Sequence, residues 1–250
     1  MAKREWMSVL RAVVTSLAAS FSIFAAAPVA AQGAAVCGSL ENHFGPFDYR
    51  TSYDKHAIVE RFHFTPDVEH LRRGASTTRI GGDISYVLRV FPNHPRALDA
   101  MARLSEREKK PTPGGSTYSI DCWFERGMRF RADDEVVKML YGMHLLRVGK
   151  HQESIKYLEL ARKSGPPNAN IHYNLGLAYM RLGKHEAALE NAHVAYGLGF
   201  PLPGLRNQLV RAGKWREPRP APAARVSSPA PVEPSVAPDA EAPKAESIEQ

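Results

Sequence analysis

The residues of this chain that could do chemistry are ten histidines, two cysteines and a scatter of carboxylates, and their spacing decides what kind. A zinc site draws three or four ligands together, from spacings such as HExxH or paired CxxC, and neither occurs. His63 and His70 stand near Asp67 and Glu69 without tight ligand spacing. A GxSxG elbow and a phosphate-binding loop are absent too. Asp133-Asp134-Glu135 reads as the acidic start of a helix, where carboxylates complement the helix dipole. The sequence therefore predicts no catalytic residue, no metal and no cofactor. The alternative is an enzyme whose site lies within residues 37–80, a stretch to which the pattern assigns no role.

The two cysteines depend on compartment. Lys3, Arg4 and Arg11 open the chain, residues 12–27 are uncharged and mostly apolar, and Pro28-Val29-Ala30-Ala31 supplies small residues before Gln32. That is the three-part order of a secretory signal, so residues 1–31 are expected to be removed on export to the periplasm. An uncleaved inner-membrane anchor is the alternative, weakened by Thr15, Ser16, Ser20, Ser22 and Pro28. In an oxidising compartment an even cysteine count implies pairing, here Cys37 with Cys122. Two separate thiols are the other reading, and a lipid-modified Cys37 a third, disfavoured by the bulk of Val36 in front of it.

What must position such groups is set by composition and by an internal period. The chain has 250 residues, 44% hydrophobic, and a net charge of +7. The signal's net +2 and the net −2 of residues 216–250 cancel, so the stretch between carries the whole +7. Residues 216–250, rich in Pro, Ala, Glu and Ser, cannot bury enough apolar surface to order themselves and are expected to be a disordered tail. Within the remainder, Arg147-Val148-Gly149-Lys150-His151 lies over Arg181-Leu182-Gly183-Lys184-His185 at an offset of 34, as do Gly142 over Gly176 and Ala161 over Ala195. A third copy, Arg211-Ala212-Gly213-Lys214-Trp215, comes thirty residues later. Gly149 and Gly183 suit the left-handed end of a helix. Gly142 and Gly176 fall inside helices, where glycine costs about 1 kcal/mol and is tolerated where two helices approach closely.

These residues resemble the tetratricopeptide repeat (TPR) family. Residues 169–202 match its consensus at Tyr173-Asn174-Leu175-Gly176, Tyr179, Gly183, Ala188 and Ala195. Residues 135–168 match at Gly142, Gly149, Ala161 and Pro166, and depart at Lys138, Leu145 and Ser154. The chain also resembles exported bacterial proteins of this type around Gly81-Gly82-Asp83 and Phe91-Pro92-Asn93-His94, a likeness that adds no chemistry. The resemblance implies an all-α fold, a short right-handed solenoid of antiparallel helix pairs. Residues 65–94 form a degenerate pair, with a short helix ending at Gly74 and a second from Asp83 to Phe91. Repeats 95–134, 135–168 and 169–202 come next, the first carrying a helix-free insertion at residues 110–115, and 204–215 is a lone capping helix. Residues 32–64 would be an irregular strap in which Ile58, Glu60, Phe62 and Phe64 alternate like a short strand, the phenylalanines packing on the first helices. His151, His172 and His185 occupy positions that hold packed rings in this family, so they are expected to be structural and satisfied.

The same resemblance places Val136, Met139, Met143 and Arg147, with Asn170, Tyr173, Leu177 and Arg181, on the concave face. Leu146 and Met180 fall on it as well. This implies an apolar, methionine-rich floor beside an arginine row of Arg107, Arg147, Arg181 and Arg211. The expected function is a non-enzymatic adaptor in cell-envelope assembly, holding a peptide or helix of a protein partner. A membrane-anchored subunit of such an assembly is the alternative. Basic residues are spread over many turns rather than clustered with aromatics, so no nucleic-acid partner is expected. Contact with an anionic envelope surface stays open, because a basic core favours acidic surfaces.

Overall fold

The computed structural model describes residues 37–218. The expected signal and nearly all of the expected tail therefore lie outside the described residues. Among those described there are ten helices and no strand. They are α1 (Tyr53–His63), α2 (Pro66–Glu69), α3 (Ile80–Val90), α4 (Pro95–Glu108), α5 (Ile120–Phe130), α6 (Glu135–Arg147), α7 (His151–Ser164), α8 (Ala169–Arg181), α9 (His185–Gly197) and α10 (Gly204–Arg211). None is long and apolar enough to cross a membrane.

Side chains at the helix starts satisfy the first free N–H groups. Ser119 Oγ accepts from Cys122 N, Asp134 from Val136 N and Val137 N, and Asn168 from Asn170 N. His94 does the same for α4, its Nδ1 accepting from Ala97 N ahead of Pro95. The helix ends repeat one another. Gly149, Gly183 and Gly213 have φ of +85°, +67° and +65°, and the next residue's lysine N–H reaches back to Leu145, Tyr179 and Leu209 O at 2.9, 3.0 and 2.9 Å. This is the Schellman closure, which satisfies otherwise free carbonyls. Lys109 takes the glycine's place after α4, with φ of +54° and the same closure from Lys110 N to Ser105 O.

Consecutive helices pack on one another: α3 on α4, α4 on α5 and α6, α6 on α7, α7 on α8, α8 on α9, and α10 on both α8 and α9. Two interior glycines sit where helices approach closely. A Cβ at Gly142 would stand 2.6 Å from Leu158 Cγ, and one at Gly176 would overlap Leu205 Cδ2. Three apolar clusters succeed one another along the chain: a large one built around Phe91, Met101, Trp123 and Phe124, a second on Leu158, Ile171 and Leu175, and a third on Leu189, Leu205 and Leu209.

The N-terminal segment differs from expectation. Residues 58–63 are not a strand but the second half of α1. A helix turns Val59 inward and brings Phe64 into the core just past its end, while Ile58 and Phe62 face outward at 57% and 53% exposure. Only Phe64 of the two phenylalanines packs inward. α2 ends at Glu69 rather than near Gly74, α3 begins at Ile80 rather than Asp83, and α10 ends at Arg211. Asp83, fully buried, explains the earlier start: its carboxylate accepts from the N–H groups of Ala75, Ser76 and Thr77 and so organises the loop before α3.

Ahead of α1 the chain runs across α5 and the end of α3. Cys37 is bonded to Cys122 in the first turn of α5, the two Cα atoms 5.2 Å apart. Arg126, buried beneath Tyr118 and Trp123, donates to the carbonyls of Cys37 and Ser39 at 2.9 and 2.6 Å, and Arg129 donates to Gly38 O. Farther on, Phe47 N donates to Val90 O and Tyr49 N to Asn93 Oδ1.

Candidate peptide-binding groove

α6 and α8 hold the same place in the 34-residue period, with α7 packed against both. Between them lies a depression of about 390 Å³. Met143, Leu146 and Leu177 form its apolar part, and Arg147, His151, Asn174 and Arg181 supply the polar groups, beside the turn at Gly149. Four of the eight residues expected on the concave face thus meet in one place: Met143, Arg147, Leu177 and Arg181.

The other four do not line it. Tyr173 is half-buried, its ring stacked on Phe200 at 3.9 Å, and burial raises its phenol pKa. Met139 packs against the second apolar cluster, between helices. Val136 lies in the first turn of α6, where its N–H is held by Asp134, and Asn170 gives its carbonyl to Asn174 Nδ2 at the start of α8. These are packing and helix-start positions.

The arginine row is uneven as well. Arg147 Nε donates to both oxygens of Glu106 at 2.9 and 3.0 Å, with Asp99 3.7 Å from its Nη2, so much of its charge is compensated. Buried His144 joins the same carboxylate at 2.8 Å. Arg107 donates to Leu71 O. Among the described residues neither Arg181 nor Arg211 forms an ion pair, which leaves Arg181 as the free cation of the groove.

Two groove residues escaped the sequence reading. Asn174 was visible only as part of the repeat signature. His151 opens α7, yet its ring lines the groove and its Nδ1 is buried without a hydrogen-bond partner among the described residues. It is not the satisfied structural histidine expected. His172 is, meeting Asn191 Oδ1 at 3.0 Å across α8 and α9.

Residues 37–80, the alternative location for chemistry, contribute to a dense polar cluster. Glu60 accepts from Tyr49 Oη at 2.7 Å, from Arg96 at 2.8 Å and from His94 Nε2 at 3.2 Å. Because His94 Nδ1 accepts from a backbone N–H, its proton sits on Nε2 and the ring is neutral. Burial lowers the pKa of His94, in agreement. The hydrogen bond from His94 leads the causes that bring Glu60 down to about 2, against the opposing effect of burial. Tyr49 stacks between His94 and His56, at 3.9 and 4.0 Å. Each polar group here is turned onto another, so the cluster fastens the N-terminal segment to the start of α4. His63 is likewise taken up, 3.0 Å from Asp83 and stacked on Tyr86.

No protein-family model matches this chain, and no curated protein matches it.

Proposed function

We propose that this chain is an exported TPR-type adaptor without enzymatic activity, which holds a peptide or helix of a cell-envelope protein in the groove between α6 and α8. The observation that carries the reading is the groove itself, apolar at Met143, Leu146 and Leu177 and flanked by Arg181, Arg147 and the ring of His151. Such a surface rewards apolar anchors at helical spacing. Methionine's flexible thioether adapts to differing side chains, so recognition would tolerate sequence variation. Arg181 favours a carboxylate on the ligand's flank. The recurring glycine turns and close glycine contacts support the TPR reading, in which three helix pairs and α10 make a short solenoid. The Cys37–Cys122 bond supports an oxidising compartment such as the periplasm.

Site-specific photo-crosslinking tests this. A benzophenone side chain at position 143 should capture one envelope protein repeatedly, and one at Lys163, exposed on α7, should not. Equal capture from both positions would remove the groove from consideration.

A further inference from the structure

A second depression, independent of the groove, lies at the C-terminal end of the helical array. It has a volume of about 560 Å³ and is walled by Tyr196, Phe200, Trp215, His193 and Pro203. The rings stand at steep angles to each other: Trp215 meets His193 at 5.2 Å and 83°, and Tyr196 at 6.1 Å and 72°. The wall is fixed in place. Tyr196 Oη donates to Leu202 O and accepts from Arg206 N, while Glu217 accepts from both Trp215 Nε1 and Arg206, whose guanidinium lies over the indole. His193 Nε2 meets Arg216 O at 2.8 Å, so the backbone beyond α10 folds back and delivers Pro218 to the edge of the depression.

The sequence beyond Pro218 has the chemistry such a slot selects. Aromatic-lined grooves take proline-rich segments, whose polyproline II conformation is preformed and costs little entropy to bind. Residues 219–250 contain seven prolines, most closely spaced in Pro229-Ala230-Pro231-Val232-Glu233-Pro234. Charge agrees. Of the four basic side chains in residues 204–218, Arg206 is paired with Glu217 and Arg216 with Glu186, which leaves Arg211 and Lys214 to meet Glu233 of the Pro229–Pro234 stretch. The eleven-residue tether from Pro218 to Pro229 spans roughly 20 Å as a flexible chain, enough to return to the same end of the molecule. Tethering makes the encounter intramolecular, at an effective concentration on the order of millimolar.

We propose that the Tyr196–Phe200–Trp215 slot is the seat of the chain's own Pro229–Pro234 segment, docked in cis on the last helices. Docking covers aromatic surface at the open end of the array, and a competing proline-rich protein could reach that surface only by displacing the tail.

The test uses the chain from residue 32 to 250, labelled with ¹⁵N, and a tail variant with Pro229, Pro231 and Pro234 each changed to Ser. These substitutions lie outside the helical array and leave its folding intact. The Trp215 indole N–H and the Tyr196 and Phe200 amides should shift between the two proteins, and heteronuclear NOEs at residues 230, 232 and 233 should fall in the variant. A synthetic peptide of residues 226–243 should restore the wild-type positions in the variant and should need at least about tenfold more to perturb the wild-type chain. Identical spectra at Trp215, Tyr196 and Phe200 would overturn the proposal. So would equal peptide affinity for both proteins, which would mark the slot as open to a partner from elsewhere.

Discussion

Replacing Gly142 by alanine sets two magnitudes of opposite sign against each other. In a helix interior alanine is better than glycine by about 1 kcal/mol. Against this, the new Cβ would stand 2.6 Å from Leu158 Cγ, 3.0 Å from Cδ2 and 3.2 Å from Leu158 N. The last of these is backbone of the facing helix, so rotating one side chain is not sufficient and α7 must move outward. Overpacking of this kind costs about 1–3 kcal/mol. The same shift would stretch the buried 2.8 Å bond from Ser154 Oγ to Gly142 O, and a buried hydrogen bond contributes about 1 kcal/mol. Steric cost outweighs propensity, and Gly142→Ala should destabilise by about 1–2 kcal/mol, a fall of several degrees in melting temperature. Urea and thermal unfolding monitored by circular dichroism would measure it. Gly197→Ala is the control, because its Cβ would meet nothing within 4 Å, and it should be neutral or slightly stabilising. Leu158→Ala removes the two nearest obstructing atoms, Cγ and Cδ2, and leaves only the 3.2 Å approach to Leu158 N, so the two substitutions together should cost less than their sum. A Gly142→Ala protein as stable as wild type, or strict additivity with Leu158→Ala, would refute the close-approach argument.

Further outcomes concern the strap, pH and the arginines. Cys122→Ser opens a loop whose ends are 85 residues apart, for which chain entropy gives roughly 4–5 kcal/mol; the Arg126 and Arg129 contacts remain, and a loss of about 2–5 kcal/mol is expected in oxidising urea titrations. Under reducing conditions the two proteins should unfold at the same urea concentration. His94 and Glu60 both have folded pKa values below their ordinary ones, so each contributes stability that is complete above the unfolded pKa and is lost as pH falls. Melting temperature should therefore decline from about pH 6.5 as unfolded His94 gains its proton, and decline further from about 4.5 toward 2 through Glu60. His94→Asn, which keeps a capping acceptor, should remove the upper part of that decline. Arg181→Ala should slow association with a groove ligand and flatten its salt dependence, whereas Arg147→Ala should lower stability through the freed Glu106–His144 pair.

The helix pairs of residues 135–202 were legible because glycine leaves two distinct marks. One is the left-handed turn at Gly149 and Gly183, the other the close contact at Gly142 and Gly176, and both recur at a fixed offset. The insertion at residues 110–115 was legible from its prolines and glycines. The segment around α1 was not, because Ile58, Glu60, Phe62 and Phe64 alternate while the residue of the helix that is buried, Val59, lies between them. Helix placement there is settled by contacts distant in sequence, Glu60 with His94 and Arg96, which no local pattern reports. The groove was half legible. The repeat register identifies the face of a helix, yet whether Met139 or Tyr173 lines a groove or fills an interface depends on the next elements of the chain, and Phe200 takes Tyr173 out of it. Arg147 and Arg181 are indistinguishable in the repeat, and Glu106 and Asp99, forty-one and forty-eight residues before Arg147, separate them.

The proposed function requires the depression between α6 and α8 to be a recognition site rather than a gap between helices. Its most direct test is the affinity of a protein captured by the position-143 crosslinker, measured by titration calorimetry against wild type and Met143→Glu. Met143 is only partly buried, so the folded state should accept glutamate with its melting temperature nearly unchanged. A carboxylate placed against the ligand's apolar anchors should weaken binding at least tenfold, about 1.4 kcal/mol or more. Equal affinity for the two proteins, with both fully folded, would contradict the account.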